Sequence, residues 1–330
     1  MKALRGHRAT ILCTALAALA HPAGAQQPWQ PARNVEIIVN SGAGGAADRQ
    51  ARAAQRYLQT FPGVPSVTVV NKPGGGGTVA LSLINERAGD GHFIGVLSTG
   101  LVTNRIVGIS AIGYEDVTPL NIVLREYVVA WTHVGSPIAS GQDLVARLKR
   151  DPSSVSFGFA TAPGNQNHIV IGMIARTAGV DAKAVKAVIY ASGGQGITSA
   201  LGGHVDVWVG TAGGTLPHVQ SGKVRVLGVS SEQRQPGVLA ASPTFREQSI
   251  DATYFAWRGF LGPRGMTAAQ VAYWDQAFAK IVADDTWKET LDRNAWVADS
   301  KLSADARSHL EREHKLLSKI LADLGLAKSR

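Results

Sequence analysis

The sequence has 330 residues, a formal net charge of +9, 37 glycines and a single cysteine, and 45% of its residues are hydrophobic. That length suits one large domain or two of ordinary size, and the apolar fraction excludes an intrinsically disordered chain. One cysteine excludes a disulfide framework. The basic charge is compatible with nucleic acid, a membrane surface or small anions, and it does not choose among them.

The first 25 residues have the three parts of a secretory signal peptide. Three basic residues form its positively charged start: Lys2, Arg5 and Arg8. Residues 9–20 are mostly apolar, and Ala23–Ala25 has the A-x-A form of a cleavage site. The apolar stretch is shorter than the roughly 20 residues that a transmembrane helix needs, and a buried N-terminal helix, the alternative, does not explain the cleavage triplet.

We therefore predict export to the periplasm with cleavage after Ala25. Cleavage removes the only cysteine, Cys13, together with the three basic residues, so the net charge of the mature chain falls to +6. Export also argues against DNA, RNA and NAD as natural partners.

The next hundred residues alternate between strand and helix patterns, as in an α/β sheet. Strands are predicted at residues 35–39, 67–70 and 93–97. Helices are predicted at residues 46–60 and 78–87, and glycine-rich turns precede both.

A second α/β unit follows. Its predicted strands are residues 155–160, 185–190, 205–209 and 224–229, and its helical segments are residues 167–178, 197–201 and 217–221. Long β-prone runs at residues 121–133 and 254–261 bracket this unit, which predicts two strands that cross into it and back. Two amphipathic helices are predicted at the C-terminus, at residues 268–283 and 304–324.

The sharpest local pattern is a strand, a glycine-rich turn and a helix at residues 35–48. A helix start offers unpaired N–H groups and the positive end of a dipole, which together bind anions. Residues 161–165 hold the matching place in the second unit. Two such loops, one in each unit, predict a ligand clamped between them.

The same turn admits two other interpretations. Gly42, Gly44 and Ala47 fit the dinucleotide fingerprint of an NAD-binding oxidoreductase, but that fingerprint needs an acidic residue at the end of the next strand. The residue there is Asn71, and the predicted export argues against NAD as well. A tight turn without any ligand is the second alternative.

These loops belong to a series of motifs that runs along the chain in order. The motifs are Gly44–Asp48, Val70–Gly77, Gly89–His92, Phe159–His168, Val188–Gly194, Gly202–Asp206 and Trp257–Gly265. In this series the chain resembles the substrate-binding receptors of tripartite tricarboxylate transporters, the Bordetella uptake gene family. The departures from the family pattern are Asn40-Ser41 for Pro-Phe or Pro-Tyr, Lys72 for Arg and Asn165 for Ser, and they bear on the ligand more than on the fold.

The resemblance implies an α/β fold of the periplasmic-binding-protein type II class, with two lobes joined by crossing strands. The lobes would comprise residues 26–125 plus 256–330, and residues 126–255. It implies a monomer that holds a small carboxylate, such as a di- or tricarboxylate, an acidic amino acid or an aromatic acid. This organic anion would be presented to membrane transporter subunits, with no cofactor, no catalytic residue and no nucleic acid. A ligand sensor for a signalling partner is the alternative.

The predicted binding residues lie in the two loops and at further strand ends. They are Ser41, Gly44, Gly45, Ala46, Ala47, Asp48, Ser98, Thr99, Thr161, Ala162, Asn165, His168, Tyr190, Ser192, Gly193 and Asp206.

For some of these the residues alone leave the role open. Asp48 either interacts with its helix dipole or meets a ligand ammonium or hydroxyl, and His168 either packs its loop or contacts the ligand. Tyr190 either reaches the cleft or packs in the core, and Asp206 is more often a structural residue in such a place. The histidine spacing does not fit a zinc site, and the absence of a Gly-x-Ser-x-Gly elbow disfavours an α/β-hydrolase.

Overall fold

The computed structural model describes residues 28–328, and the predicted signal peptide lies outside them. The strands are β1 (Val35–Val39), β2 (Val67–Asn71), β3 (Phe93–Ser98), β4 (Thr118–His133), β5 (Ser156–Ala160), β6 (Lys186–Tyr190), β7 (Val207–Thr211), β8 (Val224–Val229), β9 (Phe255–Gly262) and β10 (Trp296–Leu302). The helices are α1 (Ala46–Leu58), α2 (Thr78–Asn85), α3 (Gly100–Ile106), α4 (Gly141–Arg150), α5 (Gln166–Thr177), α6 (Gly193–Leu201), α7 (Ala212–Gln220), α8 (Ala268–Ala283), α9 (Asp285–Arg293) and α10 (Ser303–Asp323). Within this part of the chain, no helix combines the length and the apolar character needed to cross a membrane.

The strands form one curled sheet in the order β2-β1-β3-β9-β4-β7-β5-β6, and β8 and β10 also pair with β4. We call β1–β3, β9, β10 and the start of β4 the first lobe, and β5–β8 and the end of β4 the second lobe. In both lobes helices connect parallel strands, β1 with β2 and β3, and β5 with β6 and β7. The predicted α/β fold with two lobes is confirmed, and of the two predicted crossing strands one is present.

The long strand β4 is the crossing strand. Its residues up to Tyr127 pair with β9, whereas Val128 and the residues after it pair with β7 and β8. The prediction of a second crossing strand is wrong, because β9 pairs, among residues 28–328, with β3 and with the first-lobe part of β4 and with no strand of the second lobe. The chain instead returns through the segment before β9, where the Tyr254 N–H donates to the Ser230 carbonyl at 2.9 Å.

The hydrophobic cores lie on both faces of this sheet. Trp131 and Trp257 are fully buried, and Trp208 is 2% exposed. One core cluster lies in the first lobe around Trp274, and another lies in the second lobe around Trp208. The largest cluster runs through both lobes.

Most predicted elements are confirmed to within a few residues, and the differences have local causes. Helices α6 and α7 begin several residues earlier than predicted, because the first turn of each contains two adjacent glycines, Gly193-Gly194 in α6 and Gly213-Gly214 in α7, and glycine is a poor helix former. Helices α3, α4 and α9 and strand β10 were not predicted. Strand β10 alternates buried or half-buried residues with exposed ones, so it lacks the apolar run that identified the central strands.

Candidate functional site

A cavity of about 90 Å³ lies between the lobes, at the carboxyl ends of β1, β3, β5 and β7. Open α/β sheets bind ligands at this edge, because the loops that follow the strands meet there. Nine of the predicted residues line the cavity: Ser41, Gly44, Gly45, Ala46, Ala47, Ser98, Thr161, Asn165 and Gly193. The structure therefore brings the two predicted loops together around one space.

Seven predicted residues do not line the cavity. They are Asp48, Thr99, Ala162, His168, Tyr190, Ser192 and Asp206. Each of them is buried or makes a hydrogen bond within its own lobe.

Asp48 holds the first loop from behind. Its carboxylate accepts hydrogen bonds from the Gly44 N–H, Arg52 Nε and Asn71 Nδ2, each at 3.0 Å, and the residue is 3% exposed. Burial alone would raise the pKa of Asp48, but these hydrogen bonds outweigh it and lower the pKa. The hydrogen bonds of this carboxylate therefore lie within the first lobe, where they join the loop to α1 and to the end of β2.

His168 holds the second loop in a similar way. Its Nδ1 accepts from the Gly164 N–H at 3.0 Å, and its ring stacks on Phe159 with centroids 5.1 Å apart. Burial lowers the pKa of His168 to about 4, so the imidazole is neutral at ordinary pH. Asn165, which does line the cavity, caps α5 by accepting from the N–H groups of Asn167 and His168.

The remaining five predicted residues make hydrogen bonds within their own lobe or are buried. The Tyr190 hydroxyl lies 2.6 Å from the Ser199 hydroxyl, and Ser192 caps α6 by accepting from the Gln195 N–H. Asp206 accepts from the Ser156 N–H at 2.8 Å, which joins the start of β7 to β5. Thr99 and Ala162 are buried, at 0% and 3% exposed.

Two arginines line the cavity that sequence reasoning missed, Arg49 and Arg258. Arg258, on β9, donates through Nε to Glu126, whose second oxygen accepts from Trp296 Nε1 at 3.0 Å. Arg49 donates through NH1 to the Gly44 carbonyl at 3.0 Å and through Nε to Asn294 Oδ1 at 3.2 Å. The sequence could have identified Arg49 as a lining residue, because it lies three residues after the predicted binding residue Ala46 and therefore on the same face of α1.

The other lining residues that the sequence did not predict come mostly from the second lobe. They are Asn40, Gly76, Gly100, Ala160, Gln166, Asn167, Ile197, Trp208, Gly210, Thr211 and Gly214. Gly76 marks how closely the lobes approach, because its φ is +65° and a Cβ there would lie 2.8 Å from the Cβ of Ala162. A side chain at this position would hold the lobes apart.

The helix starts around the cavity are not equivalent. The Asn165 side chain caps the N-terminus of α5. In the described part of the chain, no side chain caps α1, whose N-cap residue is Gly45, or α7, whose N-cap residue is Thr211. Uncapped N–H groups and the positive ends of helix dipoles favour a negative group. Among the residues described, the charged side chains that line the cavity are the two arginines, and no acidic side chain lines it.

The dinucleotide interpretation does not fit this geometry. Asn71 stands where the fingerprint needs an acid, and its Nδ2 donates to Asp48 and to the Ser41 carbonyl, so it supports the first loop.

The chain is similar to known proteins in sequence and in fold. The family model described as "Tripartite tricarboxylate transporter family receptor" matches residues 51–325. The chain is 29% identical over 258 residues to the protein BugT of Bordetella pertussis, covering 76% of each chain.

Two solved structures from Rhodopseudomonas palustris share the fold. MatC with bound malate is 20% identical with a TM-score of 0.80, and the match covers 88% of this chain and 99% of MatC. Rpa4515 with adipate is 24% identical with a TM-score of 0.83, and the match covers 90% of this chain and 99% of Rpa4515.

Proposed function

This chain belongs to the tripartite tricarboxylate transporter receptor family, and we propose that it is a periplasmic receptor that captures a small carboxylate and presents it to membrane transporter subunits. The observation that carries the proposal is the charge of the cavity, which is lined by two arginines and two uncapped helix starts and by no acidic side chain among the described residues.

In this proposal one carboxylate group of the ligand accepts hydrogen bonds at the start of α1, from the backbone of Ala46 and Ala47. Ser41 and Thr161 approach the same space from the two lobes. Each charge-assisted hydrogen bond contributes roughly 1.5–3 kcal/mol, so a few of them hold a small acid. A ligand that touches both lobes stabilises their closed arrangement, which is how binding selects closure.

The receptor carries out no reaction in this proposal. The family is one of receptors, and the structural relatives MatC and Rpa4515 hold malate and adipate. Both of those ligands are dicarboxylates, which supports a small carboxylate as the ligand, and the class that we propose comprises di- and tricarboxylates, acidic amino acids and aromatic acids. A volume of about 90 Å³ suits a molecule of this small size.

Isothermal titration against a carboxylate panel tests the proposal. Protein that has been unfolded, freed of small molecules and refolded is titrated with malate, adipate, citrate, glutamate, pyroglutamate and nicotinate. We expect saturable binding of at least one acid, and the uncharged methyl esters of the same acids are the control that should not bind. Native mass spectrometry of the protein as purified would identify any ligand already bound. Absence of binding to every acid, or equal binding of the esters, would refute the proposal.

The proposed location is tested separately. The protein is expressed with its full N-terminus, and the periplasmic extract is analysed by N-terminal sequencing. We expect a mature chain that begins at Gln26, and a full-length chain confined to the cytoplasm would contradict export.

A further inference from the structure

The guanidinium of Arg49 is only partly satisfied within the protein. Its NH1 and Nε have acceptors, the Gly44 carbonyl and Asn294 Oδ1, whereas NH2 is buried and has no hydrogen-bond partner among residues 28–328. A Cβ on Gly213 would lie 3.3 Å from NH2, so this nitrogen lies where α7 of the second lobe begins. A buried donor on a cation is costly to leave unpaired, and the oxygen of an anion would pair with it.

The acidic residues around Arg49 are already engaged. Asp48 is held by Arg52, Asn71 and the Gly44 N–H, and Glu126 accepts from Arg258 and Trp296. Because no acidic side chain of residues 28–328 lines the cavity, the ligand must supply the negative charge near Arg49. A ligand ammonium would find no counter-charge there and would be repelled by the two arginines.

Within the described residues, Asn167 has an unpaired hydrogen-bond acceptor, whereas Arg49 has an unpaired donor. It lines the cavity and is 4% exposed, and its Nδ2 donates to the Ala160 carbonyl at 2.7 Å. A carbonyl only accepts, so this bond fixes which end of the amide is the nitrogen. The other end, Oδ1, is a buried acceptor that has no partner in the described part of the chain. A neutral donor such as a hydroxyl satisfies it, whereas a carboxylate oxygen does not.

We infer that Arg49 and Asn167 together make this cavity selective for a hydroxy acid over the matching deoxy acid and the matching amino acid. Arg49 pairs with a carboxylate of the ligand, and Asn167 Oδ1 accepts from the hydroxyl. The inference rests on the proposed function, since it concerns which carboxylate the same cavity takes. A site built to hydrogen-bond a ligand hydroxyl rejects an analogue without it, because the buried acceptor is then left unpaired.

Three matched sets of acids test the inference by isothermal titration on the full mature chain. They are lactate, propionate and alanine; malate, succinate and aspartate; and mandelate, phenylacetate and phenylglycine. In whichever set fits the cavity, we expect the hydroxy acid to bind about 10- to 100-fold more tightly than the deoxy acid. We expect the amino acid to bind more weakly than the hydroxy acid.

Two variants assign the selectivity to its residues. Asn167→Leu should weaken the hydroxy acid alone and bring its affinity close to that of the deoxy acid, whereas Arg49→Gln should weaken both about equally, by about 10- to 100-fold. Arg56→Gln is the matched control, because it removes an exposed arginine from the same helix. If a variant does not fold, as judged by its thermal melt, the affinities of the unmodified protein for the hydroxy, deoxy and amino acids still test the inferred selectivity.

The outcomes separate the two proposals. Equal affinity for hydroxy and deoxy acids, or tightest binding of the amino acid, overturns the inference and leaves the proposed function standing. An Arg49→Gln variant that binds like Arg56→Gln overturns the role of Arg49. No binding of any carboxylate, in these sets or in the panel above, overturns the proposed function and this inference with it.

Discussion

Acidification should remove stability that the second lobe gains from keeping His168 uncharged. The imidazole Nδ1 accepts the Gly164 N–H, and a protonated ring has no acceptor to offer. Burial lowers the pKa of His168 to about 4 from an ordinary value of 6.5. Between these two values the unfolded chain binds a proton that the folded chain does not, so stability falls as the pH falls.

The size of this effect follows from the shift. A pKa difference of about 2.5 corresponds to about 3 kcal/mol, because each unit is worth about 1.4 kcal/mol. The contribution of the neutral His168 to the free energy of unfolding is complete above pH 6.5, declines below that pH and is lost near pH 4. Burial also lowers the pKa of His309 to about 4, so the protein loses stability through His309 over the same pH range. A pH profile of the unmodified protein alone therefore does not separate the effect of His168 from that of His309.

The effect of His168 is isolated by urea denaturation of two proteins, the unmodified chain and the His168→Asn variant, each at about pH 7.5 and about pH 4.5. Asparagine can place an amide oxygen near the position of Nδ1 and does not titrate. We expect the unmodified protein to lose roughly 2 to 3 kcal/mol more than the variant on acidification. The contribution of His309 cancels in this difference. Parallel pH profiles of the two proteins would refute the assignment of a neutral, buried His168.

Two further substitutions test the frame of the site. Glu126→Gln should lower the free energy of unfolding by about 3–5 kcal/mol in urea denaturation, because it leaves the buried Arg258 cation without its partner. Gly259→Ala should lower it by about 3 kcal/mol or more and reduce soluble yield, because the added Cβ would overlap the Asn121 carbonyl of the paired strand β4.

Each substitution has a control of the same chemistry. Glu115→Gln removes an exposed carboxylate and should change stability by less than about 1 kcal/mol. Gly194→Ala adds a methyl group within α6 where nothing lies within 4 Å, and it should be neutral or stabilising by up to about 1 kcal/mol. A Glu126 variant as stable as the Glu115 variant, or a Gly259 variant as stable as the Gly194 variant, would contradict the structure.

The sequence predicted the elements whose patterns are local. The apolar runs of β1, β5 and β8 and the amphipathic repeats of α8 and α10 identified those elements to within about a residue or two. The glycine-rich turn before α1 and the loop before α5 identified the two walls of the cavity. Both are backbone features, and short-range patterns report backbone features well.

Side-chain direction was harder to predict. Asp48 and His168 belong to the same motifs as the lining residues, but each points back into its lobe because partners distant in sequence or in the loop hold it there. Arg49 and Arg258 line the cavity although they are 209 residues apart, and only the folded sheet brings them to one space. A sequence pattern does not contain that proximity.

The shared strand β4 has a consequence for how the molecule opens. Its residues 118–127 hydrogen-bond to β9, and residues 128–133 hydrogen-bond to β7 and β8, so unfolding of either lobe removes partners from a strand that the other lobe also needs. Backbone amides in the middle of β4 exchange their protons with solvent only when both lobes are lost. The slowest-exchanging amides should therefore lie at the junction between the lobes, and the two lobes should melt in one transition.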